Sequence, residues 1–264
     1  MSASWDPRTF QATVTLCHTA LLCAPGPAGL HNGTMDRGAP DPELERDLAD
    51  GATVVHLFRH GAVAAPWHGR IYGRMDVPLS EEGQVQAAWS AASLDGLELA
   101  AVVSSGLPRA EETARLLREP RSLERQDDAG LLEIDRGRWA GLAPEEVEAL
   151  TPGAFTAWKR SGGVLAPPGG ETLQVMASRV VPALEGLAGR YPGRRVAVAA
   201  HMWVLRIAAC AGLRRPLQRA ASVEVGTGAR LDLTWTAAEG LRVHGAAAPE
   251  GSGLTVDGLA LGRG

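Results

Sequence analysis

The sequence predicts an α/β fold: a three-layer α/β/α domain with a mostly parallel central sheet and a small helical insertion over the site at the strand ends. Three observations carry this expectation. From residue 53 onward, short β-branched or apolar runs alternate with segments of helical period, the pattern of parallel α/β proteins. The helical segments carry their own start signals, a Ser or Pro followed by acids. Three strand-to-helix junctions, at 59–61, 104–109 and 200–202, each present a cationic or imidazole residue, and open α/β sheets gather ligands outside the carboxyl ends of their strands.

The elements follow in order. Residues 24–42 are rich in Pro, Gly, Asn and Asp and read as coil, and 43–50 form at most a short helical turn. Residues 53–59 are a buried strand. Segment 80–93 opens with Ser80-Glu81-Glu82, an N-cap with acids in the first turn, and continues as a helix. Strand 100–104 ends at Ser105-Gly106, and helix 108–118 has Pro just inside its start, acids early and arginines late. Short helices at 144–150 and 154–160 form the insertion. A long helix covers 173–191, a strand 195–200, a helix 204–211, and late strands 222–225 and 229–236 form an edge or hairpin. The expected organisation is therefore an N-terminal extension, 1–50, disordered or added by a mis-assigned start (Met35 being a candidate start), then a domain over 51–250 and a flexible tail over 251–264.

Composition narrows the function. Charged residues make up 21% and hydrophobic residues 45%, a globular balance. The formal net charge of -4 argues against a nucleic-acid partner, which calls for a basic patch. No apolar run of about 18 residues predicts a membrane span, and 13–24 lacks a basic n-region, so a cytoplasmic protein is expected. Cys17, Cys23 and Cys210 show no metal-ligand spacing and read as idle or buried thiols; no metal or other cofactor is expected. Lys159 is the only lysine, so any local anion site is built from arginine, whose planar fork suits phosphate oxygens.

Taken alone, a strand ending in Arg59-His60-Gly61 is weak evidence, since a lone histidine is more often structural. It does not stand alone. Gly69-Arg70 and Gly73 lead to 76–83 (DVPLSEEG), 104–114 reads SSGLPRAEETA, 132–141 reads LEIDRGRWAG, 168–172 reads PGGET, and a strand runs to His201. These five stretches, in this order, resemble the histidine phosphatase (phosphoglycerate mutase-like) superfamily, and the acid segment and short insertion are most similar to its phosphatase branch, including α-ribazole phosphatases. The resemblance covers about residues 53–236.

The resemblance implies a metal-independent phosphomonoesterase. His60 is the implied nucleophile, passing through a phosphohistidine. Arg59, Arg109 and His201 are implied to cradle the phosphoryl oxygens, with Met202 counted in the phosphate-binding set. Glu133 is implied as general acid and then base, with Asp135, two residues on, left open as its rival. Arg70, Trp67 and Gly73 are candidate substrate contacts, with His68 and Arg74 beside them, and the insertion near 158–160 a candidate lid over a small phosphate ester. His18, His31, His56 and His244 read as structural or surface residues, and the tryptophans as packing residues except Trp67 and Trp158. The chain departs from the family pattern at Ala62-Val63 and Pro66 and at Met202, positions that usually supply accessory hydrogen bonds. A phosphoglycerate-type mutase and a catalytically weak phosphate-binding module are the alternatives, and an edge-strand homodimer is an option.

Overall fold

The central strand of the sheet is buried on both faces, as a strand covered by helices on either side must be. That strand is β1 (Thr53–Arg59), buried along its length apart from Arg59. The computed structural model describes residues 41–261. Met35, Cys17, Cys23, His18, His31 and the extension 1–34 lie outside the described residues, as do 262–264.

In chain order the elements are α1 (Pro42–Ala49), β1, α2 (Glu81–Ala92), β2 (Ala101–Ser104), α3 (Pro108–Arg118), β3 (Gln126–Asp127), α4 (Pro144–Leu150), α5 (Ala154–Arg160), α6 (Leu173–Gly189), β4 (Arg195–Ala200), α7 (Met202–Gly212), β5 (Val223–Val225), β6 (Arg230–Thr236), β7 (Gly240–Ala247), β8 (Leu254–Val256) and β9 (Leu259–Ala260). Six strands form one sheet in the order β3-β2-β4-β1-β6-β7. β3, β2, β4 and β1 run parallel, and β6 and β7 complete the sheet antiparallel.

The period of two along each strand sorts side chains into two layers. Val55, Leu57, Val196 and Val198 face α6 and α7, in a core with Met176, Val180, Leu184 and Leu205. Phe58, Ala197 and Ala199 face the other way, against Leu94, Ala114 and Leu117 of the α2–α3 layer. Each fully buried aliphatic side chain contributes about 1.5–3 kcal/mol. Ser80 caps α2 by accepting the Gly83 N–H at 3.0 Å, so the start signal read from the sequence is the one used.

Two boundaries differ from the sequence expectation. The ordered domain begins before Ala52, because α1 packs onto it: Leu44 is buried, Arg195 pairs with Glu45, and Asp47 receives Arg242 at 2.6 Å. Asp41 caps this helix, accepting the Glu43 N–H. At the other end, 251–261 is built in, since Leu254 and Val256 turn inward while Thr255 does not, and β8 pairs with β5 and β9. Strand β7 was also absent from the expected elements. His56 and His244 are structural, with His56 Nδ1 2.7 Å from Asp232 and His244 Nε2 3.0 Å from Asp47.

Candidate active site

Parallel pairing in register brings three strand ends to one level. Arg59 lies opposite Ala200, and Ser104 opposite Ala199. The next residues of these strands, His60, His201 and Ser105, therefore emerge side by side, and the His60 N–H donates to Ala200 O at 3.0 Å. Gly61 is required by close approach: a Cβ there would stand 2.1 Å from Gly83 O, where the chain meets the start of α2.

His60 is buried and its tautomer is fixed by its neighbours. Nδ1 lies 2.7 Å from Gly61 O, a pure acceptor, so Nδ1 carries the proton. Nε2 keeps its lone pair and accepts the Arg109 Nε–H at 3.3 Å. Burial, then Arg109 and Arg59, hold the imidazole well below the usual histidine range, against a smaller upward pull from Gly61. The ring is neutral at neutral pH.

Arg109, fully buried, stands beside His60 Nε2. Its Nη1 donates to Met75 O at 2.8 Å and its Nη2 to Gly73 O at 2.6 Å. Burial lowers its pKa against the opposing pull of Glu133, Tyr72 and Asp76. Arg59 is half-buried and donates from Nη1 to Val225 O, while its Nε has no partner among the described residues. The His201 ring stands 5.3 Å from that of His60 between centroids. Its Nε2 is 2.7 Å from Ser105 Oγ, and its Nδ1 is buried without a partner among the described residues. Burial and then Arg109 and His60 hold His201 well below the usual range.

The acid segment is held by the turn that follows the insertion. Glu171 accepts the Asp135 N–H at 3.0 Å and Arg179 at 2.8 Å, and Arg74 reaches it at 2.8 Å. Arg179 also donates to the carbonyls of Gly130, Leu132 and Glu133. Burial pushes the Glu171 carboxyl up, but Arg179 and the Asp135 N–H outweigh it, and the net shift is downward. Thus fixed, the buried Glu133 faces the cavity, with one oxygen accepting the Ile134 N–H at 2.8 Å. Asp135 turns away: its carboxylate accepts the Gly137 N–H at 2.8 Å and faces Arg74.

These groups meet a cavity of about 350 Å3. Its floor includes Arg59, His60 and Glu133, and α7 adds Met202, Trp203 and Arg206. The insertion closes one side with Phe155, Trp158 and Lys159, and Trp158 packs edge-on against Trp203 with centroids 6.0 Å apart. Glu133 is the sole carboxylate of the lining among the described residues, against five cationic side chains. No cluster of three or more His, Cys, Asp or Glu suited to a metal occurs among the described residues.

Of the expected substrate contacts, Arg70 and Gly73 line the cavity. Trp67 is not brought there; it ends a 3-10 turn, 65–67, outside the lining. His68 is bonded to Val63 O, and Arg74 is spent on Glu171 and Asp135. Sequence reasoning missed Ser105, Tyr72, Arg136 and Arg206. Ser105 sat inside a quoted motif and Arg206 one helical turn after His201, so spacing was an available signal. Nothing in the sequence marked Arg136 as different from Arg138.

The comparisons with known proteins agree with this geometry. The profile of the histidine phosphatase superfamily (branch 1) matches residues 55–244. Phosphoserine phosphatase 1 of Hydrogenobacter thermophilus is 34% identical over 157 residues, 59% of this chain and 74% of that one. Glucosyl-3-phosphoglycerate phosphatase of Mycobacterium tuberculosis is 33% identical over 169 residues, 61% of this chain and 75% of that one. The solved structure of a mycobacterial glucosyl-3-phosphoglycerate phosphatase superposes with a TM-score of 0.66 at 29% identity, covering 73% of this chain and 97% of that one. Among the described residues no helix is long and apolar enough to cross a membrane. A neutral histidine at the end of the central strand, a buried arginine donating to it, and a match over most of the chain lead to one conclusion: the chain belongs to the histidine phosphatase superfamily, branch 1, and is an enzyme of its phosphatase class.

Proposed function

We propose that this enzyme is a metal-independent phosphomonoesterase that hydrolyses a small phosphate ester through a phosphohistidine on His60. The observation that carries the reading is the state of His60: neutral, its Nδ1 proton tied to Gly61 O, its Nε2 lone pair beside Arg109 at the floor of a cationic cavity.

Hydrolysis of a phosphate monoester asks for a barrier reduction on the order of 20 kcal/mol, which positioning and charge stabilisation must supply. In the first step His60 Nε2 attacks phosphorus. The N–P bond forms as the ester P–O bond breaks, and the equatorial oxygens rest against Arg59, Arg109 and His201. Glu133, in its protonated form, gives its proton to the leaving alkoxide. In the second step Glu133, now a carboxylate, takes a proton from water. That water attacks phosphorus, the N–P bond breaks, and His60 is restored with inorganic phosphate as product. The phosphatase activities of the relatives support hydrolysis over transfer to a second hydroxyl, and the cavity's size supports a small ester.

Phosphate release from sugar phosphates, phosphoglycerates and nucleoside monophosphates in EDTA tests this directly, with His60→Ala as control. The expected result is EDTA-resistant release that disappears in the variant. Release that requires a divalent cation, or that survives in His60→Ala, overturns the mechanism.

A further inference from the structure

Arginines around this cavity fall into two groups. Those at its rim and in its supports are neutralised: Arg70 pairs with Glu146 at 3.1 Å, Arg74 with Glu171 at 2.8 Å, and Arg179 with Glu171 at 2.8 Å. Arg136 and Arg206 line the cavity itself, yet no carboxylate lies within 4.0 Å of either among the described residues. Arg206 donates from Nε to Val223 O at 2.7 Å, and the Arg136 guanidinium makes no hydrogen bond to a described residue.

Both guanidiniums instead lie over indole rings. Arg136 Cζ stands 4.5 Å from the centroid of Trp158 and 5.9 Å from that of Trp203. Arg206 Cζ stands 4.5 Å from the same Trp203 ring. Stacking fixes the plane of a guanidinium while leaving its N–H edge free to donate. The indole Nε1 atoms of Trp158 and Trp203 are themselves buried with no partner among the described residues. Both guanidiniums thus border the cavity with their charge unneutralised, Arg206 held by the Val223 carbonyl and Arg136 with no acceptor among the described residues. Gly73 makes room for this: at φ +46 its missing Cβ would lie 2.7 Å from Arg136 Cγ. Burial, with opposing help from Glu133 but added pressure from Arg59 and Arg136, brings Arg206 down to about 10, as expected of cations crowded without counter-charge.

We infer that Arg136 and Arg206, stacked on Trp158 and Trp203, form a second anion subsite, so that the substrate is a phosphate ester carrying a further anionic group, a carboxylate or a second phosphate. This rests on the phosphatase reading of the same cavity and adds the class of substrate. The reacting phosphate sits over His60 with Arg59 and Arg109, and the second anion docks on the wall formed by α7 and the insertion. The indole faces cover the carbon skeleton between them.

The test compares esters that differ in the second anion alone: 3-phosphoglycerate against glycerol 3-phosphate for a carboxylate, and fructose 1,6-bisphosphate against fructose 6-phosphate for a second phosphate. A charge-assisted contact is worth about tenfold to a hundredfold in affinity. In one arm the wild-type enzyme therefore favours the charged member by about tenfold or more in kcat/KM. Arg136→Met brings that ratio close to one, chiefly through KM, and Arg136→Lys, which keeps the charge without the planar fork, retains part of it. The arm that shows the preference identifies the anion. Equal kcat/KM for both members of both pairs in the wild type overturns the inference, and so does a ratio that Arg136→Met leaves unmoved. If no ester is turned over, an aryl phosphate included, the phosphatase reading fails by itself. Calorimetry of the same pairs on the wild-type protein then decides the subsite: tighter binding of the charged member supports it, and equal binding overturns it.

Discussion

Replacing Glu133 with Gln isolates the proton transfer, because the structure lets almost everything else survive the change. One Glu133 oxygen accepts the Ile134 N–H at 2.8 Å, a bond the glutamine carbonyl keeps. The side chain is buried, and its backbone is fixed independently by Arg74 and Arg179 donating to Glu133 O. What the variant loses is the ability to give and take a proton, a contribution of roughly 10²–10⁴ in rate. At about 1.36 kcal/mol per tenfold this is roughly 3–5 kcal/mol of barrier. The loss falls on esters whose leaving alkoxide needs a proton. An aryl phosphate, whose leaving group departs as a stable phenolate, is slowed far less. The assay is kcat/KM for an alkyl and an aryl phosphate side by side, in Glu133→Gln and in Asp135→Asn. Asn keeps the acceptor for the Gly137 N–H (2.8 Å), so Asp135→Asn is expected to change neither rate by more than a few-fold. Equal slowing of both esters in Glu133→Gln refutes the assignment, and a selective loss in Asp135→Asn transfers the role.

Ser105→Ala removes the hydroxyl 2.7 Å from His201 Nε2 and leaves a second buried nitrogen of that ring unsatisfied, at a cost of about 1–3 kcal/mol. A Tm lowered by several degrees with kcat falling more than KM rises is expected, and a variant with unchanged Tm and kcat refutes the link. His60 and His201 also set a pH dependence of stability: both are held well below the ordinary histidine value of about 6.5 in the fold, so under acid the unfolded chain binds more protons than the folded one. Stability is therefore expected to fall as pH drops below about 6.5, by up to about 1.4 kcal/mol per unit for each histidine. Denaturant midpoints at pH 7 and pH 5 check this, with His60→Ala losing less than wild type; equal losses refute it. The depressed carboxylates Asp232 and Glu171 lose their contribution only at more acid pH, outside that window.

Local signals were enough for the elements that make the floor of the site. β1 and β4 have burial patterns that a run of β-branched and small apolar residues already states, and α3 announces itself with Pro108 and its terminal arginines. Their order then placed Arg59, His60, Arg109 and His201 at one end of the sheet. The carboxylate ambiguity was beyond the sequence, because two residues of separation in an irregular segment carry no fixed period. Glu171, distant in the chain, binds the backbone at Asp135, and the segment so held turns Glu133 to the cavity and Asp135 to Gly137 and Arg74. The ends of the domain were hidden for a similar reason: α1 buries Leu44 alone, and its place depends on long-range pairs with Arg195 and Arg242. Arg136 was invisible because its partners are aromatic faces from two other elements, and no linear pattern encodes a stacking contact.

An acidic protein holds an intensely cationic cavity because it separates two uses of arginine. Arg74 and Arg179 close on Glu171 and stiffen the loop that carries Glu133. Arg59 and Arg109 stay without a carboxylate within 4.0 Å among the described residues, and Arg109 is held by the carbonyls of Gly73 and Met75 instead. A carbonyl satisfies a guanidinium N–H without cancelling its charge, so the positive field survives burial. That field acts twice. With burial as the larger cause, it holds the His60 imidazole unprotonated, and on the proposed reading it favours the phosphoryl oxygens that the same imidazole would approach. Placing a carboxylate partner on Arg109 would relieve the repulsion and stabilise the fold, yet it would raise the affinity of His60 for a proton and repel the ester. The strain of unpaired arginines and the readiness of the nucleophile are consequences of one arrangement, and neither can be relaxed without the other.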